Sequence, residues 1–199
     1  VRPRRRAARP HLRLPDLPLP SAAKGGSLPL ELTVLAGEAA LDAVRFDRWA
    51  DRLRAWELAG PFPSPDRAGF DRPVGPERGA EPPYAVLGKG PRGWFRPRQP
   101  QRASGYFDLN GEFDPDEEVV AYARTTLTTP RERPATLVLG SDDGIKVWLN
   151  GKLVHRNRVL RGAHPEQDRV PIRLRRGRNT LLLKIEEIHG GWGFYATLQ

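Results

Sequence analysis

The chain has 199 residues, 38% of them hydrophobic, with no Cys, no Met and a formal net charge of +9. That length suits one domain with an extension or two small units. The lack of Cys excludes disulfides, thiolate metal sites and cysteine nucleophiles, and no stretch is apolar for long enough to span a membrane. The lack of Met leads us to expect an excised or processed part of something longer, and no signal peptide is visible at Val1.

Residues 1–24 hold Arg2, Arg4, Arg5, Arg6, Arg9, Arg13 and Lys24 against Asp16 alone, a net of +6 that leaves +3 for the remainder. The charge therefore belongs to a Pro-rich arm and not to a folded face, so no nucleic-acid partner is expected. Residues 1–37 read as an Arg/Pro-rich extended linker, because Pro and Arg in this density offer neither a ladder nor a core. From 38 to 56, Leu41, Val44, Trp49, Leu53 and Trp56 recur at helical spacing among Arg and Asp. This spacing predicts a short amphipathic linking helix over 38–54.

Residues 56–62 (WELAGPF) read as a first strand that ends at Gly60-Pro61. Residues 63–103 are loop-rich, and a connection of that length is often a binding or edge-covering loop. From Ser104 onward, period-2 runs follow at 105–109, 118–128, 135–140, 145–149, 153–156, 169–174, 180–186 and 192–198. The clearest is SDDGIKVWLNGKLVHRN at 141–157, where Ile145, Val147 and Leu149 alternate with Lys146, Trp148 and Asn150. Asn150-Gly151 then supplies the two positive-φ residues of a tight hairpin. Many short strands without a βαβ unit predict an all-β fold, an antiparallel β-sandwich over 55–199. Leu139, Ile145, Val147, Leu181, Leu183 and Ile185 are its expected core.

Taken in order, WELAGPF, Gly105-Tyr106-Phe107-Asp108-Leu109-Asn110, residues 119–128, the Asn-Gly hairpin, NTLLLK at 179–184 and GGWGF at 190–194 resemble galactose-binding-like jelly-roll modules. Such modules are appended to large bacterial multidomain proteins and to glycoside hydrolases. The Ser-Asp-Asp-Gly, strand, Asn-Gly-Lys text is also similar to the sugar-binding domain type first seen in anthrax protective antigen. The resemblance implies a jelly-roll sandwich with a non-catalytic carbohydrate-binding or docking role in a larger bacterial protein. Its partner would be a glycan or another domain of the same polypeptide, in an extracytoplasmic (periplasmic or cell-surface) setting. The alternative is a structural or protein-interaction sandwich without a sugar site.

In yeast adhesin relatives of the second family, a consecutive Asp-Asp pair holds calcium, and Asp142 and Asp143 match that pair. The plainer reading is that they accept backbone N–H groups in the turn. Two carboxylates fall short of the roughly six to eight oxygens that calcium takes, so calcium is possible but no cofactor and no tight metal site is expected. A sugar site would centre on Trp148, which points away from the face set by Val147 and Leu149. Asp142, Asp143, Asn150 and His155 would be its polar partners. The opposing view is that Trp148 packs beneath the 63–103 loop or the helix expected over Glu38–Trp56. No catalytic residue is expected. There is no Gly-x-Ser-x-Gly elbow, phosphate loop or metal-ligand His spacing, and the adjacent pairs Glu117/Glu118 and Glu186/Glu187 face opposite ways.

Overall fold

The computed structural model describes residues 31–32, 35–36, 39–40, 44–45, 53, 55–99, 101–102 and 104–199. The chain divides into two units, 1–47 and 48–199. In the first, Glu31–Leu32 pairs antiparallel with Val44–Arg45, and Leu35–Ala36 pairs with Ala39–Ala40. Two of these segments fall within 38–54, where helical spacing predicts a helix, and they are strand instead. An isolated helix of this length is marginal in water unless its apolar stripe is packed, and the nested pairing gives these residues ladder hydrogen bonds in its place. Of the rest of 38–54 only Leu53 is described, and the arm at 1–24 lies outside the described residues.

The second unit is an antiparallel β-sandwich. Its strands in chain order are β1 (Glu57–Pro63), β2 (Tyr106–Asp108), β3 (Val119–Thr129), β4 (Arg133–Asp142), β5 (Ile145–Leu149), β6 (Lys152–Asn157), β7 (Asp168–Leu174), β8 (Gly177–Glu187) and β9 (Gly193–Leu198). One sheet runs β6-β5-β8-β3-β1 and the other β7-β4-β9-β2. A four-residue helix α1 (Ala68–Asp71) lies between 3-10 turns at Pro65–Arg67 and Gly75–Arg78. Among the described residues, no helix is long and apolar enough to cross a membrane.

The core forms where the inward phases of the two sheets meet. Leu139, Ile145, Val147, Leu181, Leu183 and Ile185 are all fully buried, as their alternation predicts. In the same sheet as Leu139, Phe194 stacks on Phe107 with ring centroids 5.1 Å apart and meets Trp56 edge-on at 5.1 Å. Burying each of these side chains contributes on the order of 1.5–3 kcal/mol. The hairpin between β5 and β6 closes as read from Asn-Gly, with φ of 52° at Asn150 and 82° at Gly151.

The first strand does not end at Gly60-Pro61. It runs on to Pro63, with a register shift between Ala59 and Phe62. Strand β1 is the edge of its sheet, and an edge strand tolerates a Pro that cannot donate to a ladder. The 63–103 connection then covers this edge, since Leu58 N–H donates to Phe95 O (2.8 Å) and Phe95 N–H to Leu58 O (2.9 Å). It also lays Phe70, which is fully buried, over part of the sheet's outer face.

Candidate functional site

The turn Asp142-Asp143-Gly144 joins β4 to β5, and β8 runs alongside β5 to end at Glu187. Carboxylate oxygens of Asp142, Asp143 and Glu187 lie within 4.8 Å of one another. Glu187 is 1% exposed and Asp143 7%, while Asp142 is half-buried. Antiparallel pairing explains the convergence. Glu186 N–H donates to Gly144 O (2.9 Å) and Asp143 N–H to Glu186 O (2.8 Å), which draws the end of β8 against the turn.

The three carboxylates differ in their partners. Asp143 accepts the backbone N–H of Arg161 at Oδ1 (3.0 Å) and that of Ile188 at Oδ2 (3.3 Å). It therefore ties the 158–167 loop and the β8–β9 turn to the hairpin. The Ala163 backbone N–H favours the charged form of Asp142. A Cβ on Gly191 would fall 2.6 Å from Asp142 Oδ2, so the close approach of that turn requires glycine. Among the described residues, neither oxygen of Glu187 has a hydrogen-bond partner.

Burial pushes the Glu187 carboxyl up to about 9, reinforced by the charges of Asp143, Asp142, Asp116 and Glu117. Burial, then Asp143, raises Asp142 to about 6, against the opposing pull of the Ala163 N–H. The nearby cations are engaged elsewhere. Arg161 pairs with Asp168 and donates to Ser141 Oγ (2.9 Å), and Arg67 pairs with Glu186 at 2.7 Å. Clustered buried carboxylates of this kind take up a proton or a cation. Their hard oxygens suit a divalent ion such as calcium.

The third carboxylate goes beyond the Asp-Asp pair found in the sequence. Glu186 and Glu187 do face opposite ways, and that is what frees Glu187. Glu186 turns out to Arg67, and Glu187 continues the inward phase of Leu181, Leu183 and Ile185. A glutamate in phase with a strand's core face was the available signal.

The structure keeps Asp142 and Asp143 together but does not bring Trp148, Asn150 or His155 to them. Asn150 sits at the far end of β5 as a staple, with Nδ2 donating to Asn179 Oδ1 and Oδ1 accepting Thr180 N–H, both at 3.0 Å. His155 lies opposite Val147 with Nε2 3.6 Å from Asp168 Oδ2, where β6 meets β7 of the other sheet. Trp148 is half-buried on the outer face of its sheet, in a hollow of about 310 Å³ with Trp94, Tyr84, Leu182 and Arg124. It faces away from the core and borders the 63–103 connection. Trp148 pairs with Leu182. Leu182 is five residues short of Glu187, or about 16 Å at the usual strand rise. Lys146 and Lys184 lie between, beneath the Phe70 cover.

No family profile and no curated protein matches the chain. Among solved structures it is similar to a PA14 sugar-binding domain from an RTX adhesin, at 16% identity over 73% of this chain and 88% of that one, with a TM-score of 0.45. It is similar to the PA14 domain of the MpAFP antifreeze protein at 13% identity and a TM-score of 0.35, over 41% of this chain and 43% of that one. A β-glucosidase from Kluyveromyces marxianus in complex with glucose matches at 14% identity and a TM-score of 0.39, over 48% of this chain and 13% of the enzyme. The chain thus spans less than half the length of the latter two.

Proposed function

We propose that this chain is a non-catalytic carbohydrate-binding module of the galactose-binding-like kind, part of a larger bacterial protein. Its sugar site would form around a divalent cation held by Asp142, Asp143 and Glu187, with calcium the ion that the ligand chemistry favours. The observation that carries this reading is Glu187. Its carboxylate is 1% exposed and, among the described residues, has no partner at either oxygen, yet lies within 4.8 Å of two other carboxylates. Leaving such a group buried and unsatisfied is costly, and an ion relieves it.

When bound, the ion would offer its remaining coordination positions to sugar hydroxyls, since calcium takes roughly six to eight oxygens. The backbone N–H groups of Arg161 and Ile188 hold Asp143 in place beforehand. Leu160, adjacent to Arg161, is 63% exposed and offers an apolar contact for the C–H face of a ring. The same N–H bonds favour a second reading, a structural sandwich in which the aspartates only tie loops together.

One experiment separates the two. Calcium is titrated calorimetrically into the full chain at pH 8, and a glycan array is probed with and without calcium. We expect heat of binding that Glu187→Gln abolishes while far-UV dichroism is unchanged, and glycan retention only with calcium. A folded Glu187→Gln variant that binds calcium as tightly as the unaltered chain, or an array blank under both conditions, favours the structural reading.

A further inference from the structure

We propose that the outer face of the five-stranded sheet carries a second, cation-independent ligand site, an aromatic groove that takes an acidic oligosaccharide. This proposal does not rest on the cation pocket. It starts from register. Trp148 lies beside Leu182, Leu182 beside Arg124, and Arg124 beside Glu57, so four outward side chains form one row across β5, β8, β3 and β1. Thr180 and Thr126 form the next row. The 63–79 segment covers the other half of this face, around Lys184, and leaves these rows open.

Two hollows, of about 310 and 810 Å³, meet at Arg124 and Thr180. The wall of the smaller one is ordered by the protein itself. Tyr84 Oη donates to Ala80 O (3.1 Å), Trp94 meets Tyr84 edge-on at 6.2 Å, and the Arg124 guanidinium lies 4.1 Å over the Trp94 ring. A wall already held in place loses little entropy when a ligand arrives. Aromatic faces next to threonine hydroxyls match the apolar C–H face and hydroxyl rim of a pyranose.

Charge selects among sugars. The larger hollow is lined by Arg96, Arg124 and Arg178 against Glu57 alone. Glu57 is taken by Arg124 at 2.8 Å. Among the described residues, Arg96 and Arg178 have no carboxylate partner, so the hollow favours an anionic occupant. An extended acidic peptide fits less well, because β5, β8 and β3 are each paired on both sides. They offer it no free backbone groups, and recognition must come from stacking and side-chain hydrogen bonds.

The test is calorimetry on the full chain in EDTA, which keeps the carboxylate pocket out of the measurement. The probes are tetragalacturonate, a neutral galactose tetramer and a tetraglutamate peptide. We expect tetragalacturonate to bind best, and Trp148→Ala to weaken it about fivefold or more, the scale of one aromatic stack. Trp148→Phe should recover part of that loss. Arg178→Ala should weaken binding and flatten its salt dependence. Glu187→Gln should leave it unchanged, which distinguishes this groove from the cation site. Unaltered binding by a folded Trp148→Ala variant, no binding of tetragalacturonate, tighter binding of tetraglutamate, or loss with Glu187→Gln would each overturn the proposal.

Discussion

At the scale of single residues, Glu187 sets how the molecule responds to pH. Its folded-state carboxyl is pushed to about 9 from an ordinary 4.5, by burial first and by Asp143 and the other neighbouring acids next. A carboxyl whose pKa rises on folding leaves the folded state with more bound protons between the two values, so stability falls as pH rises through that window. Asp142, raised to about 6, acts in the same direction at the lower end. In EDTA, the urea midpoint of the full chain should therefore decline steadily from pH 5 to pH 9. Glu187→Gln should flatten most of that decline, and saturating calcium should oppose it by binding the ionised form. An unchanged slope in the Glu187→Gln variant would assign the effect to another group. The neighbouring pattern also shows what was readable: alternation sent Val147 inward and Trp148 outward, and the in-phase glutamate after Ile185 was visible in the same terms. That Glu187 meets Asp142 and Asp143 was not, because the meeting depends on where β8 stops relative to a turn 44 positions earlier in the chain.

At the scale of elements, the segment between β1 and β2 is held to the outer face by a buried lysine. Lys184 is fully buried, and its Nζ donates to Phe70 O (3.2 Å) and Arg72 O (3.0 Å) and pairs with Glu77. Burial lowers its pKa, while Glu77 acts to raise it. Glu77 also accepts the Tyr122 hydroxyl at 2.6 Å. Removing one member of such a pair strands the other, at a cost of about 3–5 kcal/mol, whereas replacing both with apolar groups is often neutral. Lys184→Met should thus lower the urea midpoint sharply and expose 65–79 to limited proteolysis. The double variant Lys184→Met/Glu77→Leu should recover most of the loss, a non-additivity that a double-mutant cycle reads directly. Sequence reading anticipated a covering connection here. It did not anticipate that the short helix would be Ala68–Asp71, because a one-turn helix has too few residues to show a period and owes its existence to the Phe70 contact.

At the scale of the whole molecule, the buried core of the described residues is drawn from residues 53–198. Residues 1–24, rich in Arg and Pro, have little to add to it. Deleting them should leave the thermal midpoint within about 1 °C, given that a change of roughly 1 kcal/mol moves it by several degrees at this size. A drop of several degrees would mean that the arm packs against the folded units.

The local code of this chain was sufficient for its layers. Period-2 alternation, Asn-Gly at the hairpin and the spacing of turn residues determined an antiparallel sandwich with its strand positions and core, because each depends on neighbours a few residues apart. Tertiary structure alone decided the rest. The candidate ligand chemistry divides between a strand end and a sheet face about 16 Å away, and residues 38–54 include two short strand segments where helical spacing stood. A period in sequence assigns a side chain to a face. Only the register between distant strands, and the cover laid over one half of a sheet, decides which residues on that face meet.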